Sequence, residues 1–336
     1  MRARFRSHWD RHFGIGPEDR VVLAVSGGLD SMTLLALLGR DRDPARDPVP
    51  VAAHFDHGTR GAGSAGDGRF VAAVARRWGV DARLGRGRAP ERAAETGEGP
   101  MAAARTLRYR FLARVAREAG ATAIVTAQHR DDRVETVLQR IVRGASPDGL
   151  AGPAPIEIVH GVTLLRPLLP FTRRAIAEWA EAAGVPFRDD PSNKDPRYPR
   201  TRVREEVLPL LTALNPRVDQ AVVRLASLAA EDAAFLGERT EELLEAATVE
   251  RGRQVWRFEA KHLVGAPSAL LSRALLRAWA SCAARDTPSP GAEWVAGAMR
   301  FVRGGRGGRI AGPGGVTLLR RGGRIEVSGN RKDDDG

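Results

Sequence analysis

Ser26-Gly27-Gly28-Leu29-Asp30-Ser31 places two adjacent glycines, two hydroxyls and a carboxylate directly after the apolar run 21–25. Glycine admits backbone angles and close approaches that a Cβ forbids, so successive N–H groups of such a loop can point at an anion. A helix that starts there adds its positive dipole end. The spacing fits neither the Gly-Lys-Ser/Thr ending of a Walker A loop nor a dinucleotide fingerprint. The expectation is a phosphate-holding loop in which Ser26 and Ser31 add hydroxyl donors. Without a ligand it would be a Gly-rich strand-to-helix turn and nothing more.

Three further groupings carry side chains able to do chemistry. His54-Phe55-Asp56-His57-Gly58-Thr59-Arg60-Gly61 brings two histidines three apart, but with no thiol partner and no helix between them they suit orientation of a nucleotide or substrate better than a metal. Arg105 and Arg108, also three apart, share a helix face where two guanidiniums can grip phosphate, although solvated helix arginines would look the same. In 126–136, Asp131 and Asp132 follow His129 at a helix start, where acids are favoured by the dipole alone. Asp132 and Glu135 nevertheless face one way, and paired carboxylates can hold an ammonium and later take its proton, or help to hold Mg²⁺.

These groupings must be positioned by a scaffold, and the chain supplies its pattern. Short apolar runs at 21–25, 49–54, 81–84, 121–127 and 162–166 alternate with amphipathic stretches at 31–40, 66–78, 101–119, 131–143 and 172–183. Gly39, Gly79, Gly120, Gly144 and Gly184 are placed as helix stops. The expected fold class is α/β, a doubly wound, mostly parallel sheet, with ligands at the carboxyl ends of its strands. A Pro- and Arg-rich passage, 186–204, leads out of this domain. Helices are expected over 203–247 and 269–284. The Gly/Arg-rich stretch beyond 301 reads as a small β hairpin, 316–319 against 325–327, rather than as a disordered RNA-binding tail.

Composition narrows the function classes. The 336 residues suffice for about two domains and carry a formal net charge of +12, which points to a polyanionic partner, nucleic acid first. The cations are almost all arginine, the only lysines being Lys194, Lys261 and Lys332, so a lysine phosphate clamp is disfavoured. One cysteine, Cys282, excludes a disulfide framework and a Cys-held metal, and reads as a small core residue. No apolar run approaches membrane-spanning length and the N-terminus lacks a signal-peptide core, so a cytoplasmic protein with no membrane partner is expected.

Taken in order, the loop 26–31, the segment 54–60, the Ala104–Tyr109 stretch ARTLRY, the segment 127–136 and the Asp-Asp-Pro-Ser-Asn passage at 189–193 followed by Arg200 and Arg204 resemble the tRNA(Ile)-lysidine synthetase family of N-type (PP-loop) ATP pyrophosphatases. The resemblance spans roughly 20–215. It implies an ATP- and Mg²⁺-dependent enzyme that adenylates the wobble cytidine of tRNA-Ile at its C2 oxygen and lets free lysine displace AMP. It further implies that Ser26, Gly27, Gly28, Leu29, Asp30 and Ser31, with His54, bind ATP, and that Asp30 meets Mg²⁺. Asp132 and Glu135 would bind the lysine ammonium, one of them or His129 would take its proton, and Arg105, Arg108, Arg200 and Arg204 would meet phosphate of ATP or tRNA.

On this reading 1–200 is the catalytic domain, 201–300 a helical tRNA-binding domain, 301–329 a small β element and 330–336 a disordered tail. A homo-oligomer is compatible with the sequence. The chain departs from the family pattern at Thr59, Met101, Gln128 and Thr201, where leucine, glutamate, histidine and asparagine are usual. Two other readings share the loop and the charge. One is a thiolating tRNA enzyme, which the lone cysteine disfavours; the other is a non-catalytic RNA-binding protein, which the intact loop disfavours.

Overall fold

The computed structural model describes residues 1–58, 62–97, 99–189, 199–252, 254–284, 287 and 289–329, with 62–65 as backbone only. The chain divides into two compact units, Met1–Ser227 and Leu228–Gly336.

In the first unit six strands form one sheet: β1 (Arg20–Ala24), β2 (Val49–Asp56), β3 (Asp81–Arg86), β4 (Ala123–Val125), β5 (Ile156–Val159) and β6 (Val162–Leu165). Their order is β3-β2-β1-β4-β6-β5, parallel except for the β5–β6 pair. The apolar runs make strands because both faces of the sheet are covered: Val21, Val22, Leu23 and Ile124 are fully buried. On one face they meet the helices Leu29–Leu35 and Arg173–Ala182 in a core that includes Met32, Leu35 and Ile176. On the other they meet Pro100–Glu118 through Phe111, Leu112 and Val115. Strand order reverses on the two sides of β1, so the crevice beyond the carboxyl ends of β1 and β4 is where such a sheet takes a ligand.

All five expected strands are present, with ends shifted by a few residues at most. Unforeseen are the antiparallel edge strand β5 and the helices Arg2–His12 and Ala89–Thr96. Of the five glycine stops, Gly79, Gly120, Gly144 and Gly184 adopt positive φ, but Gly39 does not. It lies inside the π-helical turn Ala36–Arg40, and a Cβ there would stand 2.8 Å from Val80 Cγ2, so that glycine is required by close packing.

The second unit contains an antiparallel sheet of β7 (Thr248–Arg251), β8 (Val255–Glu259), β9 (Gly308–Ala311), β10 (Thr317–Arg321) and β11 (Arg324–Ser328), ordered β7-β8-β11-β10-β9. Trp256, Phe258, Leu318, Ile325 and Val327 pack on Leu271, Leu275 and Trp279 of the helix Ser268–Cys282. The expected hairpin is β10–β11, turned by Gly322 and Gly323 with φ of 57° and 78°. It is not a separate element, because β11 pairs with β8. Nor does the first unit end at 200: Val203, Val222 and Ala226 share a core with Val134, Val137 and Leu138. The expected tail, 330–336, lies outside the described residues. Among the described residues no helix is long and apolar enough to cross a membrane.

Candidate active site

The loop after β1 is closed by its own hydroxyls. The Ser26 N–H donates to Ser31 Oγ at 3.1 Å, Ser31 Oγ–H donates to the Gly28 carbonyl at 3.0 Å, and the two hydroxyls lie 3.0 Å apart. Ser31 therefore holds the turn together instead of offering its proton to a ligand. Gly27 sits at φ 97°, a conformation that a side chain rarely tolerates. Gly28, with φ −79°, caps the helix Leu29–Leu35, and a Cβ on it would meet only ordinary contacts. Its lack of a side chain thus leaves room above the helix N-terminus, where an anion is favoured. The loop is further tied by the Arg188 N–H, which donates to the Gly27 carbonyl at 3.0 Å.

His54, at the end of β2, is buried and donates from Nδ1 to the Val25 carbonyl at 2.9 Å. Burial lowers its pKa, outweighing Asp67 and Asp56 nearby, so the ring is neutral. Its Nε2 is buried without a partner and has a lone pair to accept with. The 59–61 part of this motif lies outside the described residues.

After β4, His129 caps the helix Arg130–Val142, its backbone N–H donating to Asp132 Oδ2 at 2.8 Å. Its ring meets three carboxylates: Nδ1 stands 3.5 Å from Asp131, and Nε2 stands 3.6 Å from Asp30 and 3.5 Å from Asp132. Burial alone would lower its pKa, but Asp131, Asp30 and Asp132 together outweigh that and push it up to about 10. His129 is therefore an imidazolium at neutral pH, with Nδ1–H directed to Asp131. The 3.4 Å approach of the Asp132 N–H to that nitrogen is then a contact and not a hydrogen bond. The His129–Asp30 pair joins the acidic helix to the phosphate loop.

One turn further, Asp132 and Glu135 do share a face, but two arginines already occupy it. Arg200 spans both acids, with Nε 2.5 Å from Glu135 Oε2 and a second nitrogen on Asp132 Oδ1. Arg204 grips Glu135 through Nε at 2.6 Å and its NH2 group at 3.1 Å. Expected to face phosphate, both guanidiniums are held on carboxylates instead. Burial raises the Asp132 pKa against the pull of His129 and Arg200. Arg105 and Arg108 flank the Tyr109 ring, 4.7 and 5.1 Å from its centroid. Burial, with Arg105 and Arg200 nearby, lowers the pKa of Arg108, and among the described residues no carboxylate forms an ion pair with either arginine.

Among the described residues no cluster of three or more acids, histidines or cysteines is arranged to ligate a metal. Asp30 still fits a Mg²⁺ that arrives with phosphates, because such an ion takes only one or two carboxylates from the protein and Oδ1 of Asp30 is buried without a partner. Cys282 lies in the core of the second unit, its thiol donating to the Val327 carbonyl.

Sequence reasoning missed Arg166, a fully buried side chain at the end of β6 that donates to Gln128 Oε1, to the Ala154 carbonyl at 2.6 Å and to Glu157 at 2.5 Å. Gln128 is thus spent on holding Arg166. An arginine ending an otherwise apolar strand is the one available signal. Asp131, expected as a dipole-favoured acid, also accepts from the Arg173 N–H at 2.9 Å and pins the next helix.

A family model described as a PP-loop domain matches residues 2–211. Several proteins called tRNA(Ile)-lysidine synthase are similar to the chain. That of Thermotoga sp. RQ2 is 39% identical over 62% of this chain and 49% of its own length. That of Bradyrhizobium sp. BTAi1 is 38% identical over 77% of this chain and 73% of its own, and one from Thermus thermophilus is 37% identical over 94% and 58%. The chain thus spans about half the length of the first of these relatives. A solved structure of the U34-tRNA thiolase NcsA from Methanococcus maripaludis with its 4Fe-4S cluster shares the fold, with TM-score 0.54 at 17% identity over 68% of this chain and 77% of that one.

Proposed function

Because the chain belongs to the PP-loop family, and within it to the tRNA(Ile)-lysidine synthases, we propose that it uses ATP to join free lysine to C2 of the wobble cytidine of tRNA-Ile. The observation that carries this reading is the link between a phosphate loop and a paired-carboxylate site through His129 and Asp30. Adenylation and amine attack need those two subsites side by side.

In the first half-reaction the cytidine O2 attacks the α-phosphate of ATP and pyrophosphate leaves. Gly27, Gly28 and the N-terminus of Leu29–Leu35 hold the phosphates, and the neutral Nε2 of His54 accepts a hydrogen bond from the nucleotide. Asp30 would hold Mg²⁺, which when bound offsets charge on the leaving pyrophosphate. His129, whose pKa the surrounding acids raise, is better suited to orienting Asp30 and Asp132 than to acting as the base. In the second half-reaction the amine of lysine, held by Asp132 and Glu135, gives up a proton and attacks C2. AMP departs with the oxygen. Asp132 is the acceptor best suited to that proton, since burial raises its affinity for one.

The thiolating alternative has little to work with, because the single cysteine is buried in the second unit. The two half-reactions give the test. Asp132→Asn and Glu135→Gln should retain tRNA-dependent pyrophosphate release while lysine transfer falls by two orders of magnitude or more, about what breaking a buried charge pair costs. Loss of pyrophosphate release with normal lysine affinity would mean that these acids serve ATP or its metal.

A further inference from the structure

We propose that Arg200 is a removable counter-cation of the amine subsite, drawn off Asp132 and Glu135 by substrate phosphate, so that a primary amine binds only after that phosphate. This rests on reading Asp132 and Glu135 as the amine subsite.

Asp132 and Glu135 already face two guanidiniums, and the protonated His129, fixed as the helix cap, stands 3.5 Å from Asp132, so a further cation finds no net negative charge to neutralise. An ammonium gains the full attraction only if one arginine leaves. Arg204 is the fixed partner: it is bidentate on Glu135 and follows Val203, which is packed among Val134, Val137 and Leu138. Arg200 belongs to the four-residue helix Pro199–Arg202, and its side chain remains 43% exposed while touching both acids. It reaches them across 65 and 68 residues of sequence and shares no hydrogen bond with backbone among the described residues. Beyond it stand Arg105 and Arg108, close enough that Arg200 helps to lower the pKa of Arg108. A phosphate entering that cluster attracts all three guanidiniums, and Arg200 alone must give up carboxylates to respond. The same movement exposes the acids to the amine. Lysine would then be held back until the group it attacks is in place.

Calorimetry of L-lysine binding to the full chain, alone and with either tRNA-Ile transcript or ATP but never both, tests the inference. Wild-type lysine affinity should rise about tenfold or more with one of the two phosphates, and the effective one identifies the source. Arg200→Gln should bind lysine that tightly with neither present and gain little from them. The inference is overturned if neither phosphate raises wild-type affinity, or if a folded Arg200→Gln binds lysine no better than wild type when alone. Should Arg200→Gln fail to fold, the wild-type measurement decides by itself. Glu135→Gln separates the layers: unchanged lysine binding there means that the amine subsite itself has been misassigned.

Discussion

At the scale of single residues, the charge state of His129 decides what the acidic helix can do. With its folded pKa near 10 against about 6.5 unfolded, its contribution to stability is fully present below about pH 6.5 and is lost as pH rises toward 10. The melting temperature of wild type should therefore decline across that alkaline window, and His129→Gln should flatten the decline. An NMR titration should find the ring still protonated at pH 8; a midpoint near 6.5 would return His129 to the list of bases. Much of this site is legible in the sequence. The Ser-Gly-Gly-Leu-Asp-Ser loop and the Asp132–Glu135 spacing act through neighbouring backbone and one helix face, so short windows carry them. The pairing of Arg200 and Arg204 with those acids is not, since it joins segments 65–69 residues apart and leaves no local signature. Gln128 likewise gives no hint that its partner is Arg166.

Elements are easier to read than contacts, because apolar runs and amphipathic stretches alternate with the periods of buried strands and packed helices. Failures occur where that signal thins. In Arg2–His12 only Phe5 and Trp9 are buried among charged neighbours, and β5 exposes Ile156 and Ile158 at the sheet edge. Gly39 departs from expectation for another reason: a glycine near a helix end looks like a stop whether it serves conformation or packing. Gly39→Ala should push on Val80 and lower stability by about 1–3 kcal/mol in chemical denaturation. Gly28→Ala meets no such contact, and should leave stability nearly unchanged while ATP affinity falls. Equal loss of stability in both variants would contradict this separation of packing from ligand space.

For the whole molecule, the net charge of +12 bears on the proposed RNA substrate. Between residues 294 and 325 there is no acid, whereas Arg300, Arg303, Arg306, Arg309, Arg320, Arg321 and Arg324 fall there, six of them exposed. If about six phosphates are contacted, tRNA affinity should drop about a thousandfold between roughly 50 and 200 mM salt. Reversing Arg309 and Arg324 to glutamate should flatten that dependence and leave ATP affinity in the absence of tRNA untouched. Salt-independent binding would argue against phosphate contacts. Nucleoside mass spectrometry reads the proposed chemistry at the modified base itself. After incubation of tRNA-Ile transcript with the protein, ATP, Mg²⁺ and isotopically labelled lysine, the wobble cytidine should gain the mass of one lysine less one water, with the label in the nucleoside and AMP released. An unmodified cytidine despite ATP turnover, or a cytidine carrying a different substituent, would contradict the account.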